Sequence, residues 1–305
     1  MERERRSYDH ADQTDITHGV EKLRLAADSA DAVVIGGGAG LSAAAGYEYG
    51  GSRFQKYFGD FIVRYHFRDM YTGGFYPFES LEEHWAYWSR YVFINRYQDA
   101  PKPVYRELYD IVKDRDYFVI TTNVDHCFQR AGFDEERIFY TQGDFGQWQC
   151  SVPCCGKIYQ NERQIRAMFE RQEEMRIPSE LVPYCPECGA PMTMNLRVDD
   201  TFVEGRGWQQ AGKRYEKFLE KHKKDQVLLL ELGCGMNTPG IIKFPFWKLT
   251  ARYERFTYAC VNKGGAWAPE EITGRSICLD ADIADVAAEM SGKGGLGYET
   301  SKYDS

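Results

Sequence analysis

The chain has 305 residues, of which 43% are hydrophobic and 15% aromatic, and this is enough to fold into about two domains. Its formal net charge of -8, from 38 basic and 46 acidic side chains, argues against a general nucleic-acid-binding protein. The sequence contains neither an apolar stretch of about 18 residues that could span a membrane nor the apolar segment of a signal peptide. We therefore predict an intracellular, cytoplasmic protein that binds neither nucleic acid nor a membrane. In that compartment, nine cysteines indicate metal ligands or free thiols rather than disulfides.

The first predicted strand follows a short N-terminal region. Residues 1–16 are charged and polar, and they predict a flexible arm. The apolar spacing from Ile16 to Asp28 predicts a helix. The β-branched run from Ala32 to Ile35 then predicts a strand that is buried on both faces of a parallel sheet.

Four glycines end this strand, Gly36, Gly37, Gly38 and Gly40, and the small residues after Leu41 predict a helix. A strand, a glycine loop and a helix N-terminus stand in the order that lets backbone N–H groups approach a nucleotide pyrophosphate. The spacing differs from the G-x-G-x-x-G pattern of a plain dehydrogenase. A glycine-rich turn that binds no ligand is the alternative interpretation.

The segment from Gly46 to Tyr97 is crowded with aromatic residues. They include Tyr47, Tyr49, Phe54, Tyr57, Phe58, Tyr71, Phe75, Tyr76, Trp85 and Trp88. Such crowding most often forms a satellite core under a long lid, which is the structure that we predict here. An aromatic-lined substrate channel is the alternative.

A second buried strand is predicted at 117–120, after a helix at 101–113, and Asn123 and Asp125 follow it. In an open parallel sheet, ligands bind beyond the carboxyl ends of the strands. Asn123 and Asp125 would then lie beside the glycine loop if the two strands are neighbours. The alternative is that one of them is an ordinary N-cap of the helix through Phe128.

Cysteines mark a region of different character after a third predicted strand at 137–140. Cys185 and Cys188 form a Cys-x-x-Cys knuckle, and Cys150 and Cys154 precede them by about 30 residues. Two such pairs are typical of a structural tetrahedral zinc site. Cys155 competes with Cys154 for the fourth position, and a small module without zinc is the alternative.

The remaining pattern predicts an α/β fold, a Rossmann-like parallel sheet with an inserted small zinc-binding module. Helices are predicted at 161–176, 208–223 and 283–290, strands at 227–232, 256–262 and 276–280, and an apolar connection at 244–250. We assign residues 17–145 and 195–291 to the discontinuous sheet domain, 146–194 to the inserted module, and 1–16 and 292–305 to flexible ends.

Taken in order, these motifs resemble those of the sirtuin (Sir2) family. The matching residues are Gly38-Ala39-Gly40-Leu41-Ser42, Thr121-Thr122-Asn123-Val124-Asp125, the cysteine pairs, Gly233-Cys234-Gly235, Val261-Asn262 and Cys278-Leu279-Asp280. The resemblance implies that NAD binds as a co-substrate between the two domains and that zinc is structural. The residues that it implies for NAD binding are Gly38, Ala39, Gly40, Ser42, Arg53, Thr122, Asn123, Asp125, Gln142, Gly233, Cys234, Gly235, Asn262, Asp282 and Ile283.

One departure from the family pattern bears on the chemistry. Deacylating sirtuins have His-Gly-Ser where this chain has Gln142-Gly143-Asp144, and their histidine is the general base. A glutamine amide does not titrate near neutral pH, so it cannot replace that base. The arginine of the family's PDFR stretch also has no aligned equivalent, and Arg53 is the substitute that we predict. Thr122 replaces a glutamine of the family.

These departures resemble the macrodomain-linked class M sirtuins. That resemblance implies mono-ADP-ribosylation of a lipoylated carrier related to the glycine-cleavage H protein, with a macrodomain hydrolase as the partner that reverses it. It implies that Asn123 positions the nicotinamide ribose or the nucleophile, that Asp125 holds the carboxamide, and that Gln142 orients the ribose hydroxyls. Ser42 would donate a hydrogen bond to a phosphate.

Three other functions stay open at this point. A lysine deacylase would need another base, and His126 is the nearest histidine in the sequence. An NAD-sensing or interaction module would bind NAD without turnover. An NAD glycohydrolase would release ADP-ribose without any acceptor.

Overall fold

A six-stranded parallel sheet forms the centre of the computed structural model, which describes residues 2–293 and the side chains from Ile16 onward. Its strand order is β3-β2-β1-β7-β8-β9, as expected for the predicted Rossmann-like α/β fold. The strands are β1 (Ala32–Gly37), β2 (Asp116–Thr121), β3 (Ile138–Tyr140), β7 (Val227–Leu232), β8 (Phe256–Val261) and β9 (Ser276–Leu279). Every residue of β1 and β7 is buried, so the prediction of strands covered on both faces is confirmed.

Helices cover both faces of this sheet. They are α1 (Glu2–Ser29), α2 (Ala39–Ala44), α6 (Val104–Val112), α7 (Cys127–Ala131), α9 (Arg206–His222), α10 (Lys243–Arg252) and α11 (Ile283–Met290). One apolar cluster lies under α1, α6, α7 and α11, and the other lies under α9 and α10. The result is a three-layer arrangement that presents the carboxyl ends of the strands along one edge.

Two helices differ from the predictions. Helix α1 begins at Glu2, well before Ile16, because residues 2–15 contain no glycine or proline to interrupt it. The segment at 244–250, predicted as an apolar connection, belongs to helix α10. Pro245 lies in the first turn of α10, where a missing N–H costs no intrahelical hydrogen bond. Most of the predicted C-terminal flexible end, residues 294–305, lies outside the described residues.

A second, antiparallel sheet with strand order β5-β4-β6 forms the inserted module. It consists of β4 (Gly143–Cys150), β5 (Tyr159–Gln160) and β6 (Met192–Leu196), and α8 (Glu162–Arg171) packs beside it. Strand β4 begins at Gly143 and β6 ends at Leu196, so both strands cross the bounds of 146 and 194 that we assigned to the module, and those domain bounds stay a prediction.

The aromatic segment folds into α3 (Gly51–Tyr65), α4 (Met70–Gly74), α5 (Leu81–Val92) and a π-helix (Phe93–Tyr97). Its buried rings pack against the inserted module in one cluster, which we call the shared aromatic core. Trp85 and Trp148 join the two parts, with ring centroids 5.0 Å apart. The prediction of a satellite core is therefore confirmed. No helix in the described part of the chain is both long and apolar enough to cross a membrane.

Candidate functional site

The glycine loop packs backbone against backbone on the loop after β7. The N–H of Gly38 donates to the carbonyl of Leu232, and the N–H of Gly40 donates to that of Gly233, both at 2.9 Å. A Cβ on Gly38 would lie 2.7 Å from the Cα of Cys234, and one on Gly40 would lie 2.8 Å from the Cα of Gly233. These glycines are needed for the close approach of two loops, in addition to the phosphate contact that we predict for them.

Asn123 and Asp125 lie beside the glycine loop, because β1 and β2 are neighbours along their full length. The Asn123 amide donates to the carbonyl of Gly38 at 2.9 Å, and its Nδ2 lies 3.3 Å from the hydroxyl of Tyr105. Tyr105 also lies 3.4 Å from Asp125 Oδ2, so it connects both residues in a buried network. Sequence reasoning missed Tyr105 because only the folded chain brings α6 to this edge.

Asp125 holds the network together. Its Oδ2 accepts a hydrogen bond of 2.5 Å from the Ser42 hydroxyl, and its Oδ1 accepts one of 3.0 Å from the N–H of Cys127 at the start of α7. His126 occupies the N-cap position of α7, so neither Asn123 nor Asp125 is its ordinary N-cap. Asp125, one residue earlier, still accepts from the first N–H of the helix, while Asn123 faces the glycine loop. Burial raises the pKa of the Asp125 carboxyl. Ser42 is buried and donates to this carboxylate, and the phosphate contact that we predicted for its hydroxyl stays a prediction.

Arg53 and Thr122 have separate hydrogen-bond partners. The Arg53 guanidinium donates to the Asn95 side chain and to the carbonyl of Ile94, both at 2.7 Å. Among the described residues, no carboxylate forms a salt bridge with Arg53, which leaves its charge available for an anion. Thr122 lies 3.5 Å from the carbonyl of Gly37 through its hydroxyl and donates to it through its N–H.

The remaining predicted NAD contacts follow β7, β8 and β9 at the same edge of the sheet. Cys234 is buried, Gly235 is exposed, and the Asn262 amide lies 3.3 Å from the carbonyl of Cys234. Asp282 caps α11 by accepting from the N–H of Ala284, and Ile283 is buried. Asp280 accepts from the N–H of Gly264. The structure thus brings Cys234, Gly235 and Asn262 together, whereas Asp282 and Ile283 are engaged at the start of α11.

Gln142 lies in the wall of a cavity of about 320 Å³, which we call the aromatic pocket. Its lining includes Tyr49, Tyr71, Phe75, His84, Trp88, Tyr91, Val124, Gln142, Phe145, Thr193 and Arg197. Part of the aromatic segment therefore lines a pocket, as the alternative interpretation expected. His84 and the residues of β6 and its following loop were missed, because their approach depends on how the module packs.

Two features set the electrostatic character of this pocket. Among the residues that the structure describes, no aspartate, glutamate or lysine lines it. Burial lowers the pKa of His84 to about 4, so its imidazole is neutral at physiological pH. The pocket is consequently suited to an uncharged, apolar group.

The four cysteines predicted as metal ligands meet in space. Their sulfurs all lie within 4.8 Å of one another, and the set contains Cys154 but not Cys155. The Cys150–Cys188 and Cys154–Cys185 sulfur distances are 3.5 and 3.6 Å. Zinc–sulfur bonds of about 2.3 Å in a tetrahedron require edges of about 3.8 Å, so the set fits a structural zinc ion.

Comparison with known proteins places the chain in a family. No protein-family model matches it. A protein of Staphylococcus aureus named "Protein ADP-ribosyltransferase" is 40% identical over 269 residues, which is 88% of this chain and 85% of that protein. The chain belongs to the sirtuin family. The fold agrees, since Sir2Tm bound to a propionylated peptide aligns with a TM-score of 0.59 at 19% identity, over 90% of this chain and 99% of that one.

Two further matches are again a Sir2 structure and a protein named for ADP-ribosyl transfer. A Sir2 structure with a p53 peptide and NAD+ aligns with a TM-score of 0.55 at 18% identity, over 90% of this chain and 98% of that one. A Fusarium oxysporum f. sp. cubense protein, named a probable bifunctional ADP-ribose hydrolase/ADP-ribosyltransferase, is 28% identical over 84% of this chain and 45% of its own length. The chain is therefore related to proteins named as ADP-ribosyltransferases, and its fold is that of the Sir2 structures.

Proposed function

We propose that this sirtuin transfers ADP-ribose from NAD to a protein acceptor, and that the acceptor is a lipoylated carrier related to the glycine-cleavage H protein. The observation that carries the proposal is the position of Gln142 in the wall of the aromatic pocket. The pocket joins the segment that holds Gln142 to Val124, which lies between Asn123 and Asp125. An acceptor arm in this pocket would reach the predicted NAD site.

The charge of the pocket supports an acylated arm over a free lysine. A lysine ammonium placed in the pocket would be desolvated without a counter-ion, because no acidic side chain of the described residues lines it. Arg197, the charged residue at the edge of the pocket, is half-exposed, and its positive charge would repel a lysine ammonium. A lipoyl-lysine arm is long, apolar and neutral, so it matches this lining.

We assign three residues to the transfer step. Asn123 would position the nicotinamide ribose or the nucleophile, Asp125 would hold the carboxamide, and Gln142 would orient the ribose hydroxyls. In the transfer, the bond between nicotinamide and C1′ of its ribose breaks, and a nucleophile of the acceptor bonds to C1′. Since Gln142 cannot take up a proton at neutral pH, positioning rather than proton transfer would supply most of the acceleration.

We assign NAD to the carboxyl edge of the sheet, against the glycine loop and the loop after β7. Ligands bind at this edge in open α/β sheets, where residues from several strand ends converge. Arg53, which has no carboxylate partner among the described residues, would neutralise a phosphate. We further propose a macrodomain hydrolase as the partner that removes the modification, because the Fusarium relative is named for both activities.

The test is the mass of a carrier after incubation with enzyme and NAD. A lipoylated carrier should gain the mass of one ADP-ribose, and the same carrier without lipoate, with its lysine intact, should gain none. Equal modification of both carriers would reject the lipoyl requirement, and no modification of either would reject this acceptor. An acyl-lysine peptide that yields acyl-ADP-ribose would instead support the deacylase alternative.

A further inference from the structure

Asp144 is a buried carboxylate at the centre of contacts that the sequence did not predict. Its side chain is 5% exposed, and its Oδ2 lies 2.8 Å from His126 Nδ1. Its Oδ1 accepts from the Arg96 Nε at 2.7 Å and from the N–H of Gly146 at 2.6 Å. Although burial opposes ionisation, the hydrogen bond with His126 and the charge of Arg96 lower the pKa of Asp144. The carboxylate is therefore charged and fully partnered.

The contacts of Asp144 lie between the two segments that hold the predicted catalytic residues. The Thr141 N–H donates to the carbonyl of Thr121, and the Phe145 N–H donates to that of Val124, both at 2.9 Å. Residues 141–145, with Gln142, therefore run beside residues 121–126, with Asn123 and Asp125. The Asp144–His126 contact is the side-chain link between these segments at one end.

His126 holds an unusual backbone conformation. It follows Asp125 directly and has φ 64° and ψ 18°, the left-handed region that is uncommon for a residue other than glycine. Such conformations persist when the surrounding contacts enforce them, and they cluster at functional sites. The contact with Asp144 is one that enforces this turn.

Arg96 brings a third element to the same carboxylate. It lies in the π-helix, a rare element that is frequent at functional sites. The preceding residue, Asn95, accepts a hydrogen bond from Arg53, the residue assigned to an NAD phosphate. Asp144 thus contacts the turn beside Asp125 and the helix beside the Arg53 partner.

We propose that Asp144 is a positioning residue for ADP-ribosyl transfer, which holds Gln142 in register with Asn123 and Asp125 through His126 and Arg96. It contacts neither substrate itself. A buried ion pair is weak support for stability alone, because desolvation offsets much of the attraction. The Asp144–Arg96 ion pair lies between the segments that hold the predicted catalytic residues. A role in positioning these residues explains that location better than a contribution to stability alone. The inference rests on the proposed function for the roles of Gln142, Asn123 and Asp125 as well as for the choice of acceptor.

The test is Asp144→Asn, which keeps the shape of the side chain and removes its charge. We expect the kcat of transfer to fall about 10- to 100-fold, since a shift of about 1 Å can cost that much. The KM for NAD should change less than kcat, because the contacts of Asp144 are with His126, Arg96 and Gly146 and not with the glycine loop or the loop after β7. His126→Asn provides a second route if Asp144→Asn does not fold, since asparagine tolerates the left-handed conformation.

The double variant distinguishes positioning from general destabilisation. If the two residues act as one unit, Asp144→Asn with His126→Asn should lose little more kcat than Asp144→Asn alone. Asp116→Asn is the matched control. Asp116 also contacts a buried histidine, His222 at 3.0 Å, and an arginine, Arg137 at 3.1 Å, but at the opposite end of β2. Its kcat should stay within about twofold of the wild type.

Three outcomes would overturn the proposal: a kcat within twofold of the wild type for Asp144→Asn, an equal loss in Asp116→Asn, or full additivity in the double variant. A wild-type enzyme that modifies no lipoylated carrier would reject the proposed acceptor instead. Nicotinamide release from NAD then serves as the readout for the same three variants, with the same expected ratios.

Discussion

In the six-stranded sheet, β1 pairs with β2 and with β7 over all six of its residues, whereas β5 of the small sheet pairs with β4 at two positions. The pairing of β4 with β6 is also interrupted by a register shift. Backbone hydrogen bonds and burial on both faces thus hold the large sheet. The small sheet has fewer paired positions, and β5 and β6 are only partly buried, so it depends on other interactions as well.

The shared aromatic core and the four cysteines supply those interactions. Trp85 and Trp148 are buried at the centre of this core, and both indole N–H groups lack a hydrogen-bond partner among the described residues. Each unsatisfied group costs about 1–3 kcal/mol. The inserted module shares these costs with the aromatic segment and has only a small sheet. Its folding therefore relies on the zinc ion more than the folding of the large sheet does. The large sheet and the inserted module therefore differ in the interactions that they need to fold.

Removing a zinc ligand should have the largest effect. Cys185→Ser should abolish zinc binding and at least 99% of transfer, since metal binding contributes folding free energy in small zinc modules. Hydrogen exchange should accelerate in β4, β5 and β6 and change little in β1 and β7. Zinc content is measured by mass spectrometry of metals.

Cys155→Ser is the matched control for the zinc ligand, because Cys155 lies beside Cys154 in sequence and outside the four-sulfur set. This variant should retain one zinc ion per chain. Loss of zinc in Cys155→Ser, or uniform acceleration of exchange across both sheets in Cys185→Ser, would contradict the contrast between the two regions.

Asn123→Ala tests the part of the site that follows β2 of the large sheet. The variant loses the hydrogen bond to the carbonyl of Gly38 and the proposed contact to the ribose or nucleophile. Transfer should fall about 100-fold, because misplacement of a reacting group costs about that much. The melting temperature should change by only a few degrees, since the sheet does not depend on this side chain. Transfer within about threefold of the wild type would reject the proposed role.

The large sheet was the part of the fold that local sequence predicted well. Each of its strands is a short, largely apolar run, the strands other than β9 end near glycine or asparagine, and helix α11 has the predicted bounds of Ile283–Met290. Burial on both faces makes such strands continuous in hydrophobicity, so a window of a few residues is sufficient to detect them. The Cys-x-x-Cys spacing likewise indicated the four-sulfur set without knowledge of the fold.

The site was predicted less completely, because its contacts join residues that are far apart in the chain. Asn123 and Asp125 were found through their place after a strand, but the contact of Asp125 with Ser42 joins residues that are 83 positions apart. The Asp144 contacts with Arg96 and His126 have no local signature either. Residues of this kind become recognisable only when packing brings their elements together.

Gln142→Ala tests the connection between β3 of the large sheet and β4 of the small sheet, where Gln142 lies. Transfer should fall about tenfold, because the amide positions the ribose and does not move a proton. The pH dependence of kcat should keep the same shape in the variant and the wild type. Gln142→Asn, whose amide is one methylene shorter, should lose less. An ionisation that disappears from the pH profile with Gln142→Ala would indicate that this position acts by proton transfer.

Substitution of His84 should have the smallest effect, and it tests the aromatic pocket alone. Because burial lowers its folded pKa to about 4 from the ordinary 6.5, the unfolded chain binds more protons between these values. The stability contributed by the neutral ring is therefore full at pH 7 and is lost as the pH falls from about 6.5 toward 4. Between pH 7 and 5, wild-type unfolding free energy should drop about 1–2 kcal/mol more than that of His84→Phe.

Urea unfolding at the two pH values measures this difference. His84→Gln should behave like His84→Phe, because neither side chain titrates in this range, although the two variants differ in stability at pH 7. If all three proteins lost equal free energy between pH 7 and 5, the imidazole would have to be solvated in the folded state. The aromatic pocket would then be open to water at His84, and the electrostatic argument for an uncharged acceptor arm would lose its main support.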